Sequence, residues 1–175
     1  MTPACEIAQL GATVLRQQAE MVEHVDNPAI RQIIKDMQSA LAATQGVGLA
    51  APQISQLKRI IIVASRPTAR YPSAPLMQPT VMINPVFEPI SNEKEKDWEG
   101  CLSVPGIRAL VPRFKSIIVN YTDEQGNGIK TQMEGFVARV FQHEADHLEG
   151  KVYLDRVESS ADIIAESEYL KLFSL

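Results

Sequence analysis

The sequence predicts an α+β fold: antiparallel sheets packed around a central helix, all within one domain spanning residues 1–175. Three observations point there. Helical and extended periodicities are interspersed with no regular βαβ rhythm. The turn "EQGNG" at 124–128 separates two extended segments, as a hairpin requires. A chain of 175 residues, 45% hydrophobic and 22% charged, can bury one core of ordinary size and has no linker long enough to divide it.

Along the chain, Asn27-Pro28 is an N-cap with proline at the first helical position. Behind it Ile30, Ile33, Ile34, Met37 and Leu41 keep one helical face, so a helix is expected to run until about Gln45-Gly46. "RIIIVAS" (59–65) is short and β-branched, a buried strand. A loop rich in Pro, Ser and Arg covers 66–79, and "VMINPVF" (81–87) is expected to be an edge strand because it holds Pro85. Residues 91–97 read as a solvated turn. Residues 107–122 read as one long extended segment, with a return strand near 129–133. From Gly135 helical spacing resumes through Phe136, Val140, His143 and His147, and a last amphipathic stretch covers roughly 160–172.

Composition narrows the function. A net charge of −4 argues against nucleic acid as the main partner, because phosphate binding needs a basic face. No run approaches the ~20 apolar residues of a membrane helix. The opening "MTPACEIAQLG" has neither the charged start nor the apolar core of a signal peptide, and two cysteines are too few for a disulfide scaffold. A cytoplasmic enzyme or binding domain is expected.

The chemistry concentrates in "FQHEADHLEG" (141–150), which holds two of the three histidines. His143 and His147, four apart, share a helix face and can grip one metal ion, with Glu144 placed to reach a water on it. On its own the motif is equally a polar helix face. A catalytic site needs a third ligand. Downstream, Glu158, Glu166 and Glu168 are candidates without a supporting motif. Upstream, Cys101 stands in "WEGCLSVPG" (98–106), a tight loop, although a free cysteine is more often a small buried hydrophobe. "GVGLAAPQ" (46–53) lets another backbone approach and ends in the amide donor Gln53; it also reads as a helix cap followed by a small-residue strand. Cys5 and His24 fall outside every motif.

Taken together, "GVGLAAPQ", "EGCLS" and "QHEADHLEG", with the spacing between them and "RALVPR" (108–113), resemble the peptide deformylase family over about residues 10 to 157. The resemblance implies that Cys101, His143 and His147 bind a divalent metal, natively Fe2+, with Zn2+, Ni2+ or Co2+ as occupants of isolated protein. It implies that Glu144 is the catalytic acid–base, and that Gln53 and the backbone N–H of Leu102 form an oxyanion hole. The implied substrates are N-formylmethionyl nascent peptides. Gly46, Val47 and Gly48 would let the peptide lie alongside as an added strand, Val47, Phe136 and Val140 would take the methionine side chain, and Arg108 would engage the peptide backbone. Asp146, opposite the metal face, is expected to pair with Arg113. The stretch "SSADIIAESEYLKLFSL" carries Lys171 as its only basic residue, which puts ribosome docking through a basic helix in doubt. Two other functions compete. H-E-x-x-H alone suggests a metalloendopeptidase, which leaves Cys101 and Gln53 unexplained. A paralogue that binds without turnover, or with a changed substrate preference, is the other.

Overall fold

Helix α1, Pro28–Ala42, begins as its sequence dictates: the Asn27 side chain accepts a hydrogen bond from Ala29 N–H at 2.9 Å, with Pro28 in the first turn. It stops short of the expected Gln45-Gly46. Thr44 ends it, its hydroxyl donating to Leu41 C=O at 2.9 Å while accepting from Gly46 N–H at 3.0 Å. The computed structural model describes residues 5–68 and 71–173.

Eight strands follow among the described residues: β1 Gly48–Ala50, β2 Ile60–Ser65, β3 Met77–Pro89, β4 Lys94–Cys101, β5 Val104–Phe114, β6 Ser116–Thr122, β7 Gly128–Glu134 and β8 Ile163–Ala165. They form two antiparallel sheets, of order β1-β2-β3-β6-β7 and β4-β5-β8. Two further helices complete the mixed fold: α2, Gly135–Leu148, which enters through Gly135 at φ 55, and α3, Glu166–Leu172. None of the described helices is long and apolar enough to cross a membrane.

Three expectations fail here, each for a physical reason. The strand containing Pro85 is not an edge: β3 pairs with β2 on one side and β6 on the other. Pro85 falls where the register shifts between Ile83 and Val86, next to Asn84 at φ 51, so its missing N–H costs no ladder bond. The Asn84 side chain in turn bonds both ways to the Val22 backbone, at 2.9 and 2.8 Å. The single extended segment over 107–122 is two strands in different sheets, parted at Lys115. That residue's N–H bonds to Glu93 and its C=O to Gly135. The solvated turn at 91–97 is shorter than expected, since β4 begins at Lys94, and β3 likewise takes up Met77 from the expected loop. Residues 69–70 of that loop lie outside the described residues.

Strand β2 of the five-stranded sheet is buried on both faces, which explains why "IIIVA" is continuous rather than alternating. Ile60 and Ile62 meet Ile34, Met37 and Leu41 of α1 on one face. Ile61 and Val63 meet Ala138, Phe141 and Leu148 of α2 on the other. Away from that apolar contact, α2 bonds to the three-stranded sheet: Arg139 reaches Val111 C=O at 2.7 Å and Gln142 bonds to both backbone groups of Phe114. The cleft opens between α2, β1 and that second sheet.

Candidate metal centre and its cleft

One turn of α2 separates His143 from His147, and a register shift between Glu99 and Cys101 ends β4 so that Cys101 meets them. The Cys101 sulfur and one ring nitrogen from each histidine all lie within 4.8 Å of one another, with Cys101 Sγ 3.4 Å from His147 Nε2. Donors this close can converge on one ion at about 2.0–2.3 Å. A thiolate with two imidazoles suits a transition metal rather than magnesium or calcium. One atom nearby supports the fit: Glu144 Oε2 is buried with no hydrogen-bond partner among the described residues. Of the glutamates weighed as alternative ligands, Glu158 pairs with Lys96, Glu166 with Arg108 and Glu168 with Lys171, and none belongs to the group of converging ligand atoms.

Burial alone would strip His143 of a proton, yet Cys101 and Glu99 hold its pKa well above the ordinary value. Burial, and then the charge on His143, push His147 down to about 3. The two neighbouring rings are thus pushed in opposite directions, His143 up and His147 down. Glu144 is lifted by burial to about 7, a carboxyl poised to exchange protons near neutrality.

Behind the histidines stands a buried ionic network. Glu99 Oε1 lies 2.7 Å from His143 Nδ1, fixing the ring so that its other nitrogen faces the cysteine. Arg113 grips both oxygens of Glu99 at 2.9 and 3.0 Å, and Arg139 adds a third bond at 2.9 Å. Burial would raise the Glu99 carboxyl, but Arg113 and His143 hold it at about 2. The expected Arg113–Asp146 pair is present at 2.6 Å, extended to Arg156 at 2.7 Å.

Gln53 is buried at the end of a 3₁₀ turn, Ala51–Ile54, that follows β1. Its Oε1 accepts from Ala50 N–H at 2.8 Å, so its amide nitrogen must point the other way, donating to Ser103 Oγ at 3.1 Å and to Cys101 Sγ at 3.5 Å. Leu102 occupies the turn between β4 and β5. The glycines have a reason the sequence did not reveal. A Cβ at residue 48 would overlap the Glu144 carboxylate, and one at 46 would press on Leu102 and Thr44 at 3.2 Å. Gly48 makes room for Glu144 itself.

These groups share a cleft of about 680 Å³. Gly46, Val47, Gly48, Arg108, Phe136 and Val140 line it with Gln53, Cys101, Leu102, His143 and Glu144. His147, 1% exposed, sits behind the wall against Cys101. Sequence reasoning missed Glu99, Ser103, Arg139 and Arg156, and also Tyr71, whose ring packs tilted against Phe136 with centroids 4.6 Å apart and whose hydroxyl donates to Trp98 C=O at 2.5 Å. Glu99 and Ser103 were within reach, since both stand in "EGCLS". Nothing local marks Tyr71 or Arg156.

The family model for polypeptide deformylase matches residues 4–162. Peptide deformylase 2 of a Nostoc species is 53% identical over 166 residues, 95% of this chain and 93% of that protein. Peptide deformylase 1 of Bordetella pertussis is 47% identical over 151 residues, 86% of each. Among solved structures, a class I type b peptide deformylase from Acinetobacter baumannii with Met-Ala-Ser bound superposes with a TM-score of 0.85 at 40% identity, covering 90% of this chain and all of that one. A peptide deformylase from Synechococcus elongatus in complex with actinonin gives 0.80 at 34% identity, over 99% of this chain and 88% of that one.

Proposed function

Because this chain belongs to the polypeptide deformylase family, we infer that Cys101, His143 and His147 hold its metal and that Glu144, Gln53 and the Leu102 N–H carry the chemistry. The protein is a hydrolase that removes the N-formyl group from newly synthesised proteins, and formylated nascent peptides are its substrates. One observation supports the site assignment above all others: a buried, unpartnered Glu144 oxygen beside three ligand atoms within 4.8 Å of one another.

When bound, the metal lowers the pKa of a coordinated water from 15.7 toward about 7 and polarises the carbonyl to be attacked. Glu144 accepts a proton from the attacking water and delivers it to the leaving amine nitrogen, so that formate and a free methionine amine result. Gln53 Nε2–H and Leu102 N–H donate to the formyl oxygen as it takes up negative charge, each worth about 3 kcal/mol. Val47, Phe136 and Val140 receive the methionine side chain, Gly46 and Gly48 keep the β1 side of the cleft free of side chains, and Arg108 engages the peptide backbone.

The native metal is proposed to be Fe2+. Zinc binds such ligands more tightly, so isolated protein is expected to hold Zn2+, Ni2+ or Co2+ when iron is not supplied. Helix α2 is read as the central helix carrying the H-E-x-x-H metal motif, residues 1–175 as one catalytic domain, and the cytoplasm as its compartment. Ribosome contact is proposed as transient and independent of residues 159–175, where Lys171 is the only basic residue.

Iron-loaded protein prepared without oxygen is expected to release formate from formyl-Met-Ala-Ser. Internal cleavage of an unformylated peptide would mark an endopeptidase instead, and metal binding with turnover of neither substrate a binding paralogue.

A further inference from the structure

The family match ends at residue 162, yet the residues beyond it fold back onto the cleft. Strand β8 adds to β5 with Arg108 opposite Ile164, and α3 then brings Glu166, Tyr169 and Leu170 into the cleft wall. Tyr169 is 2% exposed, its ring edge-on to Trp98 at 5.5 Å. Tyr169 therefore anchors the segment to the cleft wall, while Leu172 and Phe173 stay exposed.

Its polar contact falls on a residue already placed in the cleft. Glu166 Oε1 accepts from Arg108 Nη2 at 2.5 Å, and the guanidinium lies 5.8 Å from the centre of the Tyr169 ring. From there it crosses Gly100, next to Cys101; a Cβ at residue 100 would overlap it. Arg108 Nε is buried and has no hydrogen-bond acceptor among the described residues. A buried guanidinium N–H without an acceptor is costly, and a peptide in the cleft is made of acceptors.

We propose that Glu166, carried by the carboxyl-terminal segment, is a positioning residue that holds Arg108 across Gly100 so that Arg108 Nε–H meets a backbone carbonyl of the bound peptide. The inference rests on reading the cleft as a peptide groove. Without Glu166 the arginine regains its rotamers, and peptide binding must order it again. That penalty applies equally to bound substrate and transition state, so it appears in KM and not in kcat.

The test uses metal-replete protein, with KM and kcat for formyl-Met-Ala-Ser and the Kd of the product peptide Met-Ala-Ser by calorimetry. E166A is expected to raise both KM and Kd roughly two- to twelvefold, the cost of re-immobilising one long side chain, with kcat unchanged. In an R108A background the same substitution is expected to raise KM and Kd by clearly less than it does in the wild type, because the part of its effect that runs through Arg108 is already lost. Unchanged KM and Kd in E166A would overturn the proposal, as would an equal effect in the R108A background or a fall in kcat together with melting temperature. Should E166A not fold, the isosteric E166Q is expected to give a smaller rise in Kd alone, and no rise there overturns it equally. The Kd needs no catalysis, so it decides on Glu166 even if the wild-type protein leaves formyl-Met-Ala-Ser intact, which would be a failure of the deformylase reading.

Discussion

Helix α2 buries Phe141 and Leu148 against the five-stranded sheet and Arg139, His143 and Asp146 against the three-stranded one. Both contacts are buried, but they hold for different reasons. The apolar side gains roughly 25 cal/mol for each Å² removed from water, without regard to direction. On the polar side each charge is tolerable only while its partner stays in place. The first contact resists small changes and fixes no angles. The second is fragile, and it fixes the His143 ring through Glu99. A metal ligand needs the second kind of support.

The largest effects are expected where the polar side meets the cleft. Cys101→Ala should lose the metal and with it all turnover, whereas Glu144→Ala should keep the metal and lose about 10²–10⁴ in kcat. Metal content and rate measured on the same samples separate ligand from base. Equal metal loss in both variants would mean that Glu144 is a ligand.

Next come two substitutions of similar cost on opposite sides of the helix. Arg113→Met leaves Glu99 and Asp146 short of a buried partner and should cost about 3–5 kcal/mol of stability. Phe141→Ala should cost a similar ~3–5 kcal/mol by leaving a cavity in the core. Their effects on the metal differ. Arg113→Met should also weaken metal binding, by releasing Glu99 from its hold on His143, while Phe141→Ala should leave metal affinity unchanged. Chemical denaturation paired with metal competition reads both quantities, and equal metal loss in the two would erase the distinction between the faces.

Gln53→Leu should lower kcat and kcat/KM together by about 10²–10³, with KM little changed. Since Gln53 also donates to Ser103 and accepts from Ala50, a loss of melting temperature with near-normal kcat would make it a structural residue instead. The smallest effect is expected at the exposed ion pairs of Lys96 with Glu158 and Asp162. Lys96→Ala should leave the denaturation midpoint and turnover unresolved from wild type, since water already satisfies such charges. A large loss there would mean that ionic contacts support this fold wherever they occur, and not only where they are buried.

The start of α1, strand β2, the hairpin turn and helix α2 were legible because each is written in local terms: a cap, a run of β-branched residues, a glycine turn, a helical period. Cys101, Gln53 and the two histidines were legible through three short motifs and their spacing. The burial of Glu99 was not. It stands just past "SNEKEKD" (91–97), which reads as solvated, and its partners Arg113, Arg139 and His143 are 14, 40 and 44 residues away. Strand register and helix packing decide which charges meet. The same holds for Pro85, which reads as an edge until β6 is seen to pair across its bulge, and for Glu166, which reaches Arg108 only because β8 adds to β5. The sequence by itself determined most of the elements and, through its resemblance to a known family, the proposed ligands and base, because caps, turns and motifs are written in short stretches of chain. Tertiary structure alone decided what orients them, because a buried charge takes its meaning from a partner distant in the chain.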